Sequence, residues 1–127
     1  MAEHPNAALI RKAIEALNAG DDAFLESIMV DDVVWHISGA PEPIRGKDAM
    51  RASMGSGERD FELTANLHDV TASDDHVVAL ISSHVVRNGQ TLDFDTAEIF
   101  HVVDGMVTER WAFSDDTARI AESSPSG

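Results

Sequence analysis

A chain of 127 residues with 43% apolar content is long and apolar enough for one domain with a real core. A formal net charge of -14 argues against nucleic acid and anionic membrane surfaces as partners, and the absence of cysteine excludes disulfides and thiol catalysis. The N-terminus lacks the basic and apolar regions of a secretory signal, and no apolar run approaches the ~20 residues that span a bilayer, so a cytoplasmic protein is expected.

Leu9, Ile10, Ala13, Ile14 and Leu17 recur at helical spacing and predict an amphipathic helix near 6–18, with Asn6 as its N-cap and Gly20 at its end. Asp21 caps a second helix that places Phe24, Leu25, Ile28 and Met29 on one face, and Asp31-Asp32 ends it. Residues 33–37 are β-branched and aromatic enough to read as a short strand. The stretch 38–45 carries Gly39, Pro41 and Pro43 and reads as a loop. A short helix near 48–54 stops at Gly55-Ser-Gly57.

The remainder is β. Phe61, Leu63, Ala65 and Leu67 alternate with polar residues, Ser73-Asp-Asp75 is a turn, and 76–87 is a strand that ends at the turn Asn88-Gly89. Residues 91–103 and 106–113 complete a meander around Asp104-Gly105, where glycine accepts the positive φ of a tight hairpin turn. A single domain over 1–122 and a disordered tail at 123–127 follow. The order α-α-β-α-β-β-β-β makes this an α+β fold, with helices over one face of a curved sheet and a pocket between them.

One residue breaks the pattern. Phe94, Thr96, Glu98, Phe100 and Val102 share the more apolar face of their strand, and Glu98 sits in its middle. A carboxylate on a buried face is costly unless it is paired, protonated or used. Glu98 is therefore a candidate proton donor or base, or else one half of an ion pair with Arg110. A two-residue type I′ turn would put Glu98 opposite Trp111. A type I turn with a bulge at Gly105 would put it opposite Arg110, and this second arrangement is the expected one. In that register Trp111 and Phe113 lie outside with Val107, as a dimer interface. On the neighbouring strand the two alternations, Ile81-Ser83-Val85 and Leu80-Ser82-His84-Val86, are equally apolar. His84 is thus a candidate base on one reading and a sheet-face residue on the other. Trp35 lines the pocket or plugs it, and His36 has the opposite phase. Asp115-Asp116 caps a helix at Thr117 or sits at the pocket mouth. No His-x-His, no Glu-x-x-His pair, no phosphate loop and no nucleophile elbow occurs, so neither a metal nor a cofactor is expected.

Ala16-Leu-Asn-Ala-Gly-Asp21, Asp31-Asp-Val-Val-Trp35, Pro43-Ile-Arg-Gly46 and Phe100-His-Val-Val-Asp-Gly-Met-Val107 with Trp111 resemble the SnoaL-like polyketide cyclases, within the superfamily of ketosteroid isomerase, limonene epoxide hydrolase and nuclear transport factor two. The resemblance runs over nearly the whole chain. It implies a cone-shaped curved antiparallel sheet with the N-terminal helices on its concave face, a central pocket for a small apolar cyclic or polyketide-like molecule, and a homodimer. Carried over by position, the isomerase tyrosine falls at Ala13, its general base at Ile37 and its oxyanion-hole acid at Glu98. The cyclase aspartate falls at Ala112, and the epoxide-hydrolase pair at Ser83 or His84. None of the three mechanisms transfers intact; the expected activity is cofactor-independent acid–base chemistry on Glu98 and His84, with Trp35, Ile37, Phe61, Ser83, Phe100, Arg110 and Ala112 around the ligand. The alternatives are a non-catalytic binding domain and a dimerising scaffold.

Overall fold

The computed structural model describes residues 3–37, 40–53, 61–87 and 89–114. Helix α1 (Pro5–Ala19) and helix α2 (Asp22–Ser27) precede strand β1 (Met29–His36). A two-residue strand β2 (Ile44–Arg45) and helix α3 (Lys47–Ser53) lead into the strands β3 (Phe61–Ala72), β4 (His76–Arg87), β5 (Gln90–Val103) and β6 (Met106–Ser114). One sheet takes them in the order β2-β1-β6-β5-β4-β3. Its pairs are antiparallel except β1–β6, which is parallel, so the sheet is mixed rather than wholly antiparallel. The tail 123–127 and Asp115-Asp116 lie outside the described residues.

Three boundaries differ from the sequence reading. Pro5 opens α1, so the cap moves back to His4, whose Nδ1 accepts the Asn6 N–H at 3.1 Å. Asn6 instead donates its side-chain amide to the carbonyls of Ser73 and Asp74, tying α1 to the β3–β4 turn. Asp31-Asp32 does not stop a helix: α2 closes at Ser27, and both aspartates lie exposed inside β1. Ile44–Arg45 is β2, because its backbone pairs with Val34 and Trp35 across a chain reversal that local pattern cannot signal. Gly20 and Asp21 do cap as expected: Gly20 is left-handed at φ 74°, and the Asp21 side chain accepts from the Phe24 N–H.

The core forms where α1 lays its apolar stripe against the sheet. Ile10, Val33, Val77, Val102 and Val107 are fully buried there. Asn18 binds the edge strand twice: its Nδ2 donates to the Ala65 carbonyl at 2.7 Å, and its Oδ1 accepts the Ala65 N–H at 2.8 Å. A side-chain amide thereby stands in for a seventh strand at one point of an otherwise open edge.

Candidate functional site

The hairpin between β5 and β6 decides which side chains face the helices. Asp104 (φ 51°) and Gly105 (φ 76°) both adopt positive φ, as a two-residue type I′ turn requires, and Val103 pairs with Met106. The bulge expected at Gly105 is absent from the turn. It lies further along, where β6 inserts Thr108 between the pairs Val102–Val107 and His101–Glu109. Glu98 consequently stands opposite Ala112, not Arg110 or Trp111. One inserted residue changes the parity of β6 wherever it sits, so Arg110 and Ala112 still face inward and Trp111 and Phe113 outward. Val107 lies before the bulge. It is buried at the cavity wall rather than outside with Trp111 and Phe113.

Between the helices and the concave face lies a cavity of about 100 Å³. Ile10, Ala13 and Ile14 of α1 form one wall; Trp35, Phe100 and Val107 form another. Met29 and Met50 close it from the side. Glu98 is the one charged residue on this wall among the described residues.

Glu98 is held from three sides. Arg110 Nε and Nη2 donate to its Oε1 at 3.0 and 2.9 Å, and the Thr96 hydroxyl donates to Oε2 at 3.0 Å. The two charged side chains are 12% and 13% exposed, which makes the pair effectively internal. Arg110 Nη1 donates to the His36 carbonyl at 3.0 Å, and the guanidinium lies 4.6 Å from the centre of the Trp35 ring. Trp35 in turn meets Phe100 edge-on, with centroids 6.3 Å apart. Arg110 therefore reaches Glu98 diagonally across two strands, with an indole face as its seat.

The other expected residues divide by face. Ser83 is buried on the inner side. His84 has the opposite phase, pairs with Asp93 on the outer surface, and does not share a face with Glu98. Ile37 is half-buried just beyond β1 and is not among the described residues that line the cavity. Phe61 begins β3 opposite Arg87; its side chain lies outside the described part. Most of the lining was not in the expected set: the α1 wall, Val107, Met29 and Met50 contribute to it, and Thr96 binds Glu98. Thr96 could have been found, since it stands two residues from Glu98 on one strand face. The methionines belong to elements whose approach to the sheet leaves no local signal.

The outer face has its own order. His36 Nε2 lies 2.6 Å from Glu109 Oε2, and the imidazole stacks on Trp111 with centroids 5.4 Å apart. Leu80 and Phe113 are exposed beside a groove of about 490 Å³. No helix among the described residues is long and apolar enough to cross a membrane.

A six-stranded mixed sheet wrapped by N-terminal helices around one apolar cavity defines an α+β cone. The chain belongs to the SnoaL-like domain family, whose model matches residues 10–110. Bal32a, from a soil-derived mobile gene cassette, is 26% identical, with 89% of this chain and 91% of that one covered and a TM-score of 0.76. An NTF2-like protein of unknown function from Burkholderia pseudomallei has a TM-score of 0.82 at 18% identity, covering 96% and 98%. An LEH-like epoxide hydrolase from M. tuberculosis has a TM-score of 0.75 at 19% identity, covering 87% and 83%. These last two share the fold alone. No curated protein matches the chain.

Proposed function

We propose that the protein binds a small apolar molecule in the central cavity. The observation that carries this reading is a space walled by aliphatic and aromatic side chains, with Glu98 the one charged residue on the wall among the described residues. Toluene should bind saturably and raise the thermal midpoint as mass action requires, and Ala13→Leu, which fills the space, should weaken binding. Lack of saturable binding by every neutral single-ring molecule tried, toluene and phenol included, would remove the proposal.

A second reading, cofactor-independent acid–base chemistry, is favoured by the state of Glu98 Oε2. A carboxylate offers about four lone-pair positions. Arg110 takes two on Oε1 and Thr96 takes one on Oε2, leaving one among the described residues for a ligand proton. A bound cyclic ketone should then exchange its α-hydrogens with deuterated buffer faster than the background, and Glu98→Gln should abolish the excess. An exchange rate equal in the two proteins would leave binding without catalysis. The α+β cone shared with an LEH-like epoxide hydrolase is compatible with either reading.

We also propose a homodimer through the outer face. The support is the exposure of two large apolar side chains there, Phe113 at 58% and Leu80 at 42%. Sedimentation should show a dimer at micromolar concentration and a shift toward monomer in Phe113→Ala and Trp111→Ala. A wild-type monomer at that concentration would end the idea.

A further inference from the structure

The size and charge of the cavity select its ligand more narrowly than its apolar walls do. Apolar protein cavities of about 150 Å³ admit benzene. This one measures about 100 Å³, and its two methionines, Met29 and Met50, are the side chains best able to adjust. With such adjustment the volume matches one ring rather than two fused rings. Of the small apolar cyclic or polyketide-like molecules that the resemblance implies, this volume matches the single-ring ones.

Charge narrows the choice again. Glu98 and Arg110 neutralise each other inside the protein. Arg110 is turned toward the Trp35 ring and the His36 carbonyl, and of the pair it is Glu98 that lines the cavity. An anionic ligand would meet a carboxylate in an apolar surround. A cationic ligand would find a carboxylate whose charge is already balanced, and would stay buried without its own counter-ion. Arg110 occupies both features that would otherwise recognise an amine, the indole face and the acid. A neutral ligand carries neither cost.

The remaining polar contact is an acceptor. Oε2 receives one hydrogen bond, from Thr96, and has room for a second. We propose that the cavity selects a neutral single-ring molecule with one hydroxyl, of phenol or cyclohexanol type, whose O–H donates to Glu98 Oε2. This inference rests on the small-molecule reading above and adds the ring count, the charge and the donor.

The ε-methyl NMR signals of Met29 and Met50 report on the cavity directly. Toluene, phenol, benzoate, benzylamine and 1-naphthol are titrated into the full chain. Phenol is expected to shift these signals and to bind about tenfold tighter than toluene, as a hydrogen bond to a charged acceptor allows. Benzoate, benzylamine and 1-naphthol are expected to leave them unmoved. If neither toluene nor phenol binds, the small-molecule reading itself fails. If toluene binds as well as phenol, that reading stands and the hydroxyl donor is overturned. Binding of benzoate or benzylamine at phenol-like affinity overturns the neutral-ligand requirement, and binding of 1-naphthol overturns the single-ring limit. In Glu98→Leu/Arg110→Met, which removes both charges together, phenol is expected to lose its advantage over toluene; an advantage retained there also overturns the assigned donor contact.

Discussion

Glu98→Gln should destabilise the protein at neutral pH by about 3 kcal/mol, which for a chain of this size lowers the thermal midpoint on the order of 10 °C. The substitution preserves shape and one acceptor oxygen. It leaves the Arg110 guanidinium, 13% exposed, without its counter-charge. Removing one partner of an internal ion pair is costly because the surviving charge stays buried without a counter-charge. Arg110→Met should cost a similar amount from the other side, since Glu98 would keep only the Thr96 hydroxyl among the described residues. Replacing both, as Glu98→Leu with Arg110→Met, should recover most of the loss, because an apolar pair of similar volume needs no counter-charge. Urea unfolding of these four proteins together with Glu98→Leu completes the cycle. A Glu98→Gln protein as stable as wild type would show that the pair contributes nothing. One more stable than wild type would show that the carboxylate is held in the cavity against its own solvation, as a group kept for chemistry.

The pair was legible in the sequence for a reason that the structure refines. An acid in the middle of an apolar alternation needs a partner, and Arg110 was the basic residue on the facing strand of the same hairpin. Its inward phase follows from an odd number of inserted residues, whether the insertion sits in the turn or at Thr108. Parity was therefore readable while the location of the bulge was not. The location depends on β1, where the Val107 N–H donates to the Ile28 carbonyl and Met29 pairs with Val107. That pairing joins residues nearly eighty positions apart, beyond any local pattern. The same long-range strand explains His36: its partner Glu109 lies on β6, and nothing near His36 in the chain announces it. Local signals were enough for the regions with short-range logic. Strand β4, the turn at Ser73 and the caps at Gly20 and Asp21 all lie where alternation or turn chemistry places them. The cavity's side wall depends on how α3 and the start of β1 approach the sheet, so Met50 and Met29 gave no sequence signal as ligand contacts.

Phe100→Ala should cost about 3–5 kcal/mol and change which ligands fit. Phe100 is 5% exposed, belongs to the central cluster and forms part of the cavity wall. Truncation removes its transfer energy and adds its volume to a space that already exists, so the enlarged cavity has few ways to collapse. The same change removes the edge contact that braces Trp35, and Trp35 is the surface on which the Arg110 guanidinium rests. Two consequences follow. The cavity should now accept 1-naphthol, which wild type is expected to exclude, and the bound naphthol should restore part of the lost stability by mass action. The losses from Phe100→Ala and Glu98→Gln should also fall short of additive, because a loosened Trp35 already weakens the seat of Arg110. Denaturant unfolding with and without 1-naphthol checks both. A loss below about 1 kcal/mol would place Phe100 outside the tightly packed core. Failure of 1-naphthol to bind a folded Phe100→Ala protein would mean that some wall other than Phe100 limits the ligand's size.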